Sequence, residues 1–206
     1  MEKTLKDLST EDKIKAAARK IFTKKGYSAT RTRDIAKEAG INLALLNYYF
    51  RSKEKLFEIV MLENFGQFIE GVRELIYERT TSLDQKVNVL VEFYINQMNE
   101  NPDLPLFVLN EVRSNPKTLK NNGFTRDMLL KSIFMQQLVE ELKQNKKTEL
   151  NPLHLVMNIF SMTIFPFIAS PLILKVGNLS VQDFKTIMEE RKKLIPQWIK
   201  KMLLNK

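Results

Sequence analysis

Apolar positions recur at intervals of three and four residues along almost the whole chain, the spacing of helices that bury one face. Ile14, Ala17, Ala18, Ile21 and Phe22 form the first stripe, introduced by Ser9 and Asp12 in the manner of a capping box and ending before Gly26. After Ser52, a stripe of Leu56, Phe57, Val60, Phe65, Phe68, Ile69, Val72 and Ile76 predicts one long helix running toward Arg79. Residues 83–98 make another amphipathic helix, stopped by Asn101 and Pro102. The pattern then predicts a short helix over 104–112, a longer one over 124–142 and a polar loop over 143–149. Asn151 with Pro152 opens the next helix, and Ser180 with Asp183 opens the last, which runs to about Leu204. No alternating strand pairs, internal repeats or low-complexity tracts interrupt this reading, so the chain is all-α with about nine helices.

Residues 30–53 stand out. Ile35, Ala36 and Ala39 share one face of a helix beginning near Thr30 or Arg31, and Gly40 follows the last periodic residue, where a left-handed backbone stops the helix. Ile41 can fill the corner, and Asn42 can cap a second helix running to about Phe50. On that helix Leu46, Tyr49 and Phe50 are expected to pack against Ile35 and Ile41, leaving Leu43, Ala44, Asn47 and Tyr48 outward. This outer side lacks the Lys/Glu mixture of a solvated helix, and its small first residues allow close backbone approach to another surface. Such a layout is that of a helix-turn-helix reading DNA. Ser52 can cap the following helix, placing Lys53 at a helix N-terminus that suits a phosphate. Arg31 and Arg33 are further phosphate candidates.

The spacing of Gly26, Tyr27, Ala29 and Thr30, of Arg33-Asp34-Ile35-Ala36 and Ala39-Gly40-Ile41, and of Leu46, Tyr48-Tyr49-Phe50, Ser52-Lys53-Glu54 and Leu56 resembles the N-terminal signature of the tetracycline-repressor (TetR/AcrR) family of bacterial transcription regulators. The resemblance covers roughly residues 10–57. It implies an all-helical homodimer with a three-helix DNA-binding domain over 8–57 and a helical effector-binding and dimerisation domain over 58–206. Thr30, Asn42, Leu43, Ala44, Asn47, Tyr48 and Lys53 occupy positions that touch DNA in the family. Asn47 stands where many members carry an aromatic residue, and Leu43 where lysine is common, two departures at positions that bear on which bases are read.

Charge agrees with that division. Residues 1–57 hold 14 Lys/Arg and 7 Asp/Glu, a net +7 of the chain's +9, so the basic excess sits with the helix-turn-helix as phosphate attraction requires. A merely solvated basic face is the alternative. With no cysteine the chain has neither a disulfide framework nor thiol redox chemistry, as suits a reducing interior. No apolar run follows the early lysines, and the longest apolar stretch, 153–174, is interrupted by polar residues and two prolines. It reads as buried helix rather than a membrane span, and the protein is expected to be cytoplasmic, nucleoid-associated when DNA-bound.

Dimerisation is expected at the last two helices. Phe184, Ile187, Met188, Arg191, Ile195, Trp198, Ile199 and Met202 read as one stripe, with Ile159 and Met162 on the apolar segment before it, a surplus over what one subunit needs to bury. Ordinary core packing is the competing reading. The family places an effector among the middle helices, where Phe65, Phe68, Phe93, Tyr94, Met98, Phe107, Phe134, Met135, Met157 and Phe160 are the bulky residues from which an apolar pocket could be built, though such residues are more often plain core. Gly66 and Gly71, inside the long helix, fit either close packing or a bend. The sole histidine, His154, lies on an apolar helix, and no metal spacing, phosphate-binding glycine loop or nucleophile motif is present, so neither an enzyme nor a cofactor is expected. The expectation is a dimeric repressor that binds a palindromic operator and is released by a small, largely apolar effector. A DNA-bound architectural or division-control protein with the same head, or a helical protein-interaction adaptor, are the alternatives.

Overall fold

The computed structural model describes residues 9–204, which form twelve helices and no strand. The N-terminal head comprises α1 (Thr10–Ala29), α2 (Thr32–Glu38) and α3 (Leu43–Phe50). The long α4 (Lys53–Tyr77) leads out of it into α5 (Leu83–Glu100), α6 (Leu104–Ser114) and the short α7 (Lys117–Asn121) and α8 (Arg126–Leu130). The remainder is α9 (Ile133–Gln144), α10 (Leu153–Ile168), α11 (Ser170–Gly177) and α12 (Val181–Leu204). Three predicted caps form: the hydroxyl of Ser9 accepts the Asp12 amide, that of Ser52 the Lys55 amide, and that of Ser180 the Asp183 amide, each at 3.1 Å, whereas α10 starts at Leu153 with Pro152 rather than Asn151 in the N-cap position, the Asn151 side chain accepting the Leu153 amide at 3.0 Å.

Three departures from the sequence pattern have local causes. The helix expected over 124–142 is two helices, because buried Ser132 donates to the Leu129 carbonyl at 2.7 Å and accepts the Met135 amide at 3.1 Å. A short hydroxyl side chain thus closes α8 and caps α9. The brief α7 follows Pro116 in a polar stretch without a periodic stripe. The apolar stretch 153–174 is no single buried helix: it bends by 70° between α10 and α11, and Leu153, Met157, Phe165 and Leu172 are exposed. No single helix among the described residues is long and apolar enough to cross a membrane.

The core of the larger part lies between α4, α5, α10 and α12. Val60, Ile69 and Val72 of α4 join Val91 and Ile95 of α5 and Met188, Ile195 and Ile199 of α12, all buried. At about 25 cal/mol per Å² of apolar surface, burial of this kind is the dominant favourable contribution to such a fold. Close packing explains Gly71, where an added Cβ would lie 2.5 Å from Phe93 Cζ.

The expected dimer stripe of α12 proves to be two neighbouring stripes. Phe184, Met188 and Ile195 are buried within this chain, as is Ile159 of α10, because α12 lies along α5 and α10 and spends that face on them. The next stripe round the helix is Ile187, Arg191, Leu194, Trp198 and Met202, with Ile187, Leu194 and Met202 exposed. Arg191 donates to the Met162 carbonyl at 2.9 Å and lies over the Trp198 ring, 5.3 Å from its centroid. Desolvation lowers its pKa. Asn158 reaches Met202 at 3.4 Å, so this outer stripe adjoins the exposed face of α10.

Candidate nucleic-acid interface

The turn between α2 and α3 is built as its residues dictate. The Ile41 amide bonds back to the Ala36 carbonyl at 3.0 Å across Gly40, whose φ of +68° no other residue adopts so cheaply. Asn42 accepts the Leu45 amide at 2.8 Å and starts α3. Ile35, Leu46 and Phe50 are buried and seat α3 on the head's core. Tyr49, expected inside with them, is exposed. It precedes Phe50 by one residue, about 100° round the helix, which carries it to the flank, edge-on to Tyr48 at 5.5 Å. Nothing but that angle could have found it.

The expected DNA-facing residues divide into two sets. Asn42, Leu43, Ala44, Asn47 and Tyr48 are exposed, Tyr48 by 79%, and Arg31 and Arg33 are exposed beside them. Thr30 and Lys53 lie behind this surface. Thr30 is 2% exposed and its hydroxyl donates to the Gly26 carbonyl at 2.7 Å. Lys53 donates to the carbonyls of Tyr27 and Thr30 at 3.1 and 3.2 Å and sits over the Tyr27 ring at 4.1 Å. The lysine therefore clasps the α1–α2 corner to the start of α4. Lys25 and Asp34 pair at 2.8 Å between α1 and α2, and that lysine holds the Asp34 carboxyl below the usual range.

Above the head, α4, α5, α6 and α10 enclose a cavity of about 260 Å³. Phe65, Phe68, Tyr94, Met98 and Phe160 line it, together with Ile69, Leu104, Val108, Leu109, Phe124 and Ile164. A smaller cavity of about 30 Å³ adjoins it across Tyr94, Phe124 and Phe160 and takes in Phe134. The other expected lining residues lie elsewhere. Phe93 stacks outside Phe68 at 5.6 Å, Met135 is in the core, and Met157 is on the outer surface of α10. Phe107 turns to the head, edge-on to Phe57 at 5.8 Å. Of α6 the sequence picked Phe107, on the opposite face; Leu104, Val108 and Leu109 were missed because a short apolar stripe does not say which of its sides meets the cavity.

Helix α6 thus has one face on the cavity and the other on the head. At its start the Asp103 carboxylate accepts the Tyr27 amide at 3.0 Å, joining the second part of the chain to the corner that Lys53 clasps. Tyr27 in turn packs on Phe57, 4.6 Å between ring centroids, and donates its hydroxyl to Glu54 at 2.9 Å. Desolvation and that bond raise the Tyr27 pKa.

A helix-turn-helix head with an exposed second helix, carried on a helical body, defines a DNA-binding transcriptional regulator. Residues 14–60 match the family model for bacterial regulatory proteins of the tetR family, which places the head in that family. It is 28% identical over 193 residues to the "Probable HTH-type transcriptional regulator YttP" of Bacillus subtilis, covering 90% of this chain and 91% of that one. Among solved structures, a TetR transcription regulator from Haloarcula marismortui aligns over 93% of this chain and 96% of its own with TM-score 0.59 at 15% identity. FadR from Bacillus subtilis, solved in complex with stearoyl-CoA, aligns over 90% of this chain and 97% of its own with TM-score 0.53 at 21% identity. At those identities the two structures speak for the fold.

Proposed function

We propose that this protein is a repressor that binds a palindromic operator as a homodimer and leaves it when a largely apolar effector enters the body. The observation that carries the reading is the outer face of α3: an exposed, uncharged surface of Leu43, Ala44, Asn47 and Tyr48, flanked by the exposed guanidinium groups of Arg31 and Arg33. Small residues admit the helix to the major groove, and the arginines supply phosphate contacts that set register. Thr30 and Lys53 act from behind by holding the corner that presents α3. A second copy would cover the exposed stripe of α12, Ile187, Leu194 and Met202, with Met157 and Phe165 of α10, and so set two recognition helices one DNA turn apart, roughly 34–36 Å. The cavity is the effector's seat in this proposal, and the stearoyl-CoA complex of FadR supports a ligand with a long apolar part. Filling the cavity displaces α6, and α6 carries the change to Tyr27 and Phe57.

Titration of the purified protein against a palindromic fragment from its own promoter region tests this. Affinity should fall steeply with salt, with a slope of about −0.9 per phosphate neutralised. Binding that ignores salt, or no binding to any promoter fragment, would overturn the reading.

A further inference from the structure

Tyr94 is the one residue lining either cavity whose side chain carries oxygen or nitrogen. It is 3% exposed, stands between the two cavities, and its hydroxyl forms no hydrogen bond with any described residue. Burial pushes its pKa up, so the group stays neutral and keeps its proton. It is the single polar group in an otherwise apolar lining, and with no protein partner its O–H is free to donate to whatever occupies the cavity.

We infer that the body binds an uncharged, mainly hydrocarbon ligand group carrying a single hydrogen-bond acceptor, such as a carbonyl or ester oxygen, which accepts a hydrogen bond from the Tyr94 hydroxyl. This rests on the proposed reading of the cavity as the effector's seat and adds to it the chemical class of the ligand's buried part. No carboxylate lines either cavity, so a buried cation would have only ring faces for compensation. No cationic side chain lines them either, so a buried carboxylate would be unpaired. The ligand's charged groups, where it has them, therefore lie outside the cavity, and the apolar rings of Phe68, Phe124 and Phe160 enclose the rest.

The test uses the full-length protein with its methionine methyl groups labelled for NMR, since Met98 lines the larger cavity and Met128 the smaller. Four probes are titrated: methyl octanoate, octanoate, n-butylbenzene and tetraphenylphosphonium. Methyl octanoate should shift Met98 and bind tighter than octanoate or the cation. Tyr94→Phe should weaken methyl octanoate roughly 5- to 10-fold and leave n-butylbenzene within twofold, which also shows the variant folded. Equal binding of methyl octanoate to both proteins, with n-butylbenzene still bound, overturns the role of Tyr94 alone. Tighter binding of the cation or of octanoate overturns the uncharged class. Failure of all four probes to move Met98 overturns the reading of the cavity as a ligand seat, and this inference with it.

Discussion

Replacing Asp103 should loosen the head from the body without touching either core. Its carboxylate accepts the Tyr27 amide at 3.0 Å. A hydrogen bond to an ionised acceptor contributes about 1.5–3 kcal/mol, and a neutral one about 1 kcal/mol. Asp103 is half-buried, which favours the lower end. Asp103→Ala should therefore cost about 1.5–2 kcal/mol in urea unfolding with an unchanged slope, and Asp103→Asn roughly half of that. Local opening follows the same arithmetic. Exchange of the Tyr27 amide in Asp103→Ala should quicken by about 10- to 30-fold, since 1.4 kcal/mol is about tenfold. A variant within about 0.5 kcal/mol of the parent, with Tyr27 exchange unchanged, would show that α6 does not hold the head.

Other consequences are as direct. Gly40 has φ +68° and open space around an added Cβ, so Gly40→Ala should cost only backbone strain, about 1 kcal/mol by thermal or urea unfolding, and Gly40→Asn less. In light scattering, Leu194→Glu should give a folded monomer, whereas Met188→Glu, at a position with 0% exposure, should unfold the chain; a dimer persisting in Leu194→Glu would remove the proposed interface. The Glu78 carboxyl, held by the backbone and hydroxyl groups of Thr80 and Thr81, titrates at about 2 rather than 4.5. A depressed folded value means its stabilisation is present above 4.5 and lost as pH falls toward about 2. Glu78→Gln should flatten that stretch of the stability profile, and an unchanged acid limb would contradict the assignment.

Much of the fold was legible because helices of this length announce themselves twice, by an apolar stripe and by a cap. Ser9, Asn42, Ser52 and Ser180 all cap where the pattern placed them, and Gly40 turns where it should. Two things were hidden. A stripe gives the buried side of a helix but not what buries it, so the α12 face spent on α5 could not be told from the neighbouring face left exposed. Likewise, position in a recognition motif does not say where a side chain's donors go. Thr30 and Lys53 fit the signature, yet their hydrogen bonds turn inward to the carbonyls of Gly26, Tyr27 and Thr30. Of the cavity lining, Phe65, Phe68, Tyr94, Met98 and Phe160 were named from the sequence, whereas on α6 the sequence named Phe107, and the face that meets the cavity depends on how that helix docks.

The central claim, that the outer face of α3 reads specific DNA, is tested most directly by mapping bound sites across the genome of the host cell with the parent protein and with Tyr48→Ala. The account predicts a few discrete sites, each a palindrome with half-sites about one helical turn apart, occupied by the parent and lost in the variant. Many scattered sites, or an identical map for the two proteins, would contradict it.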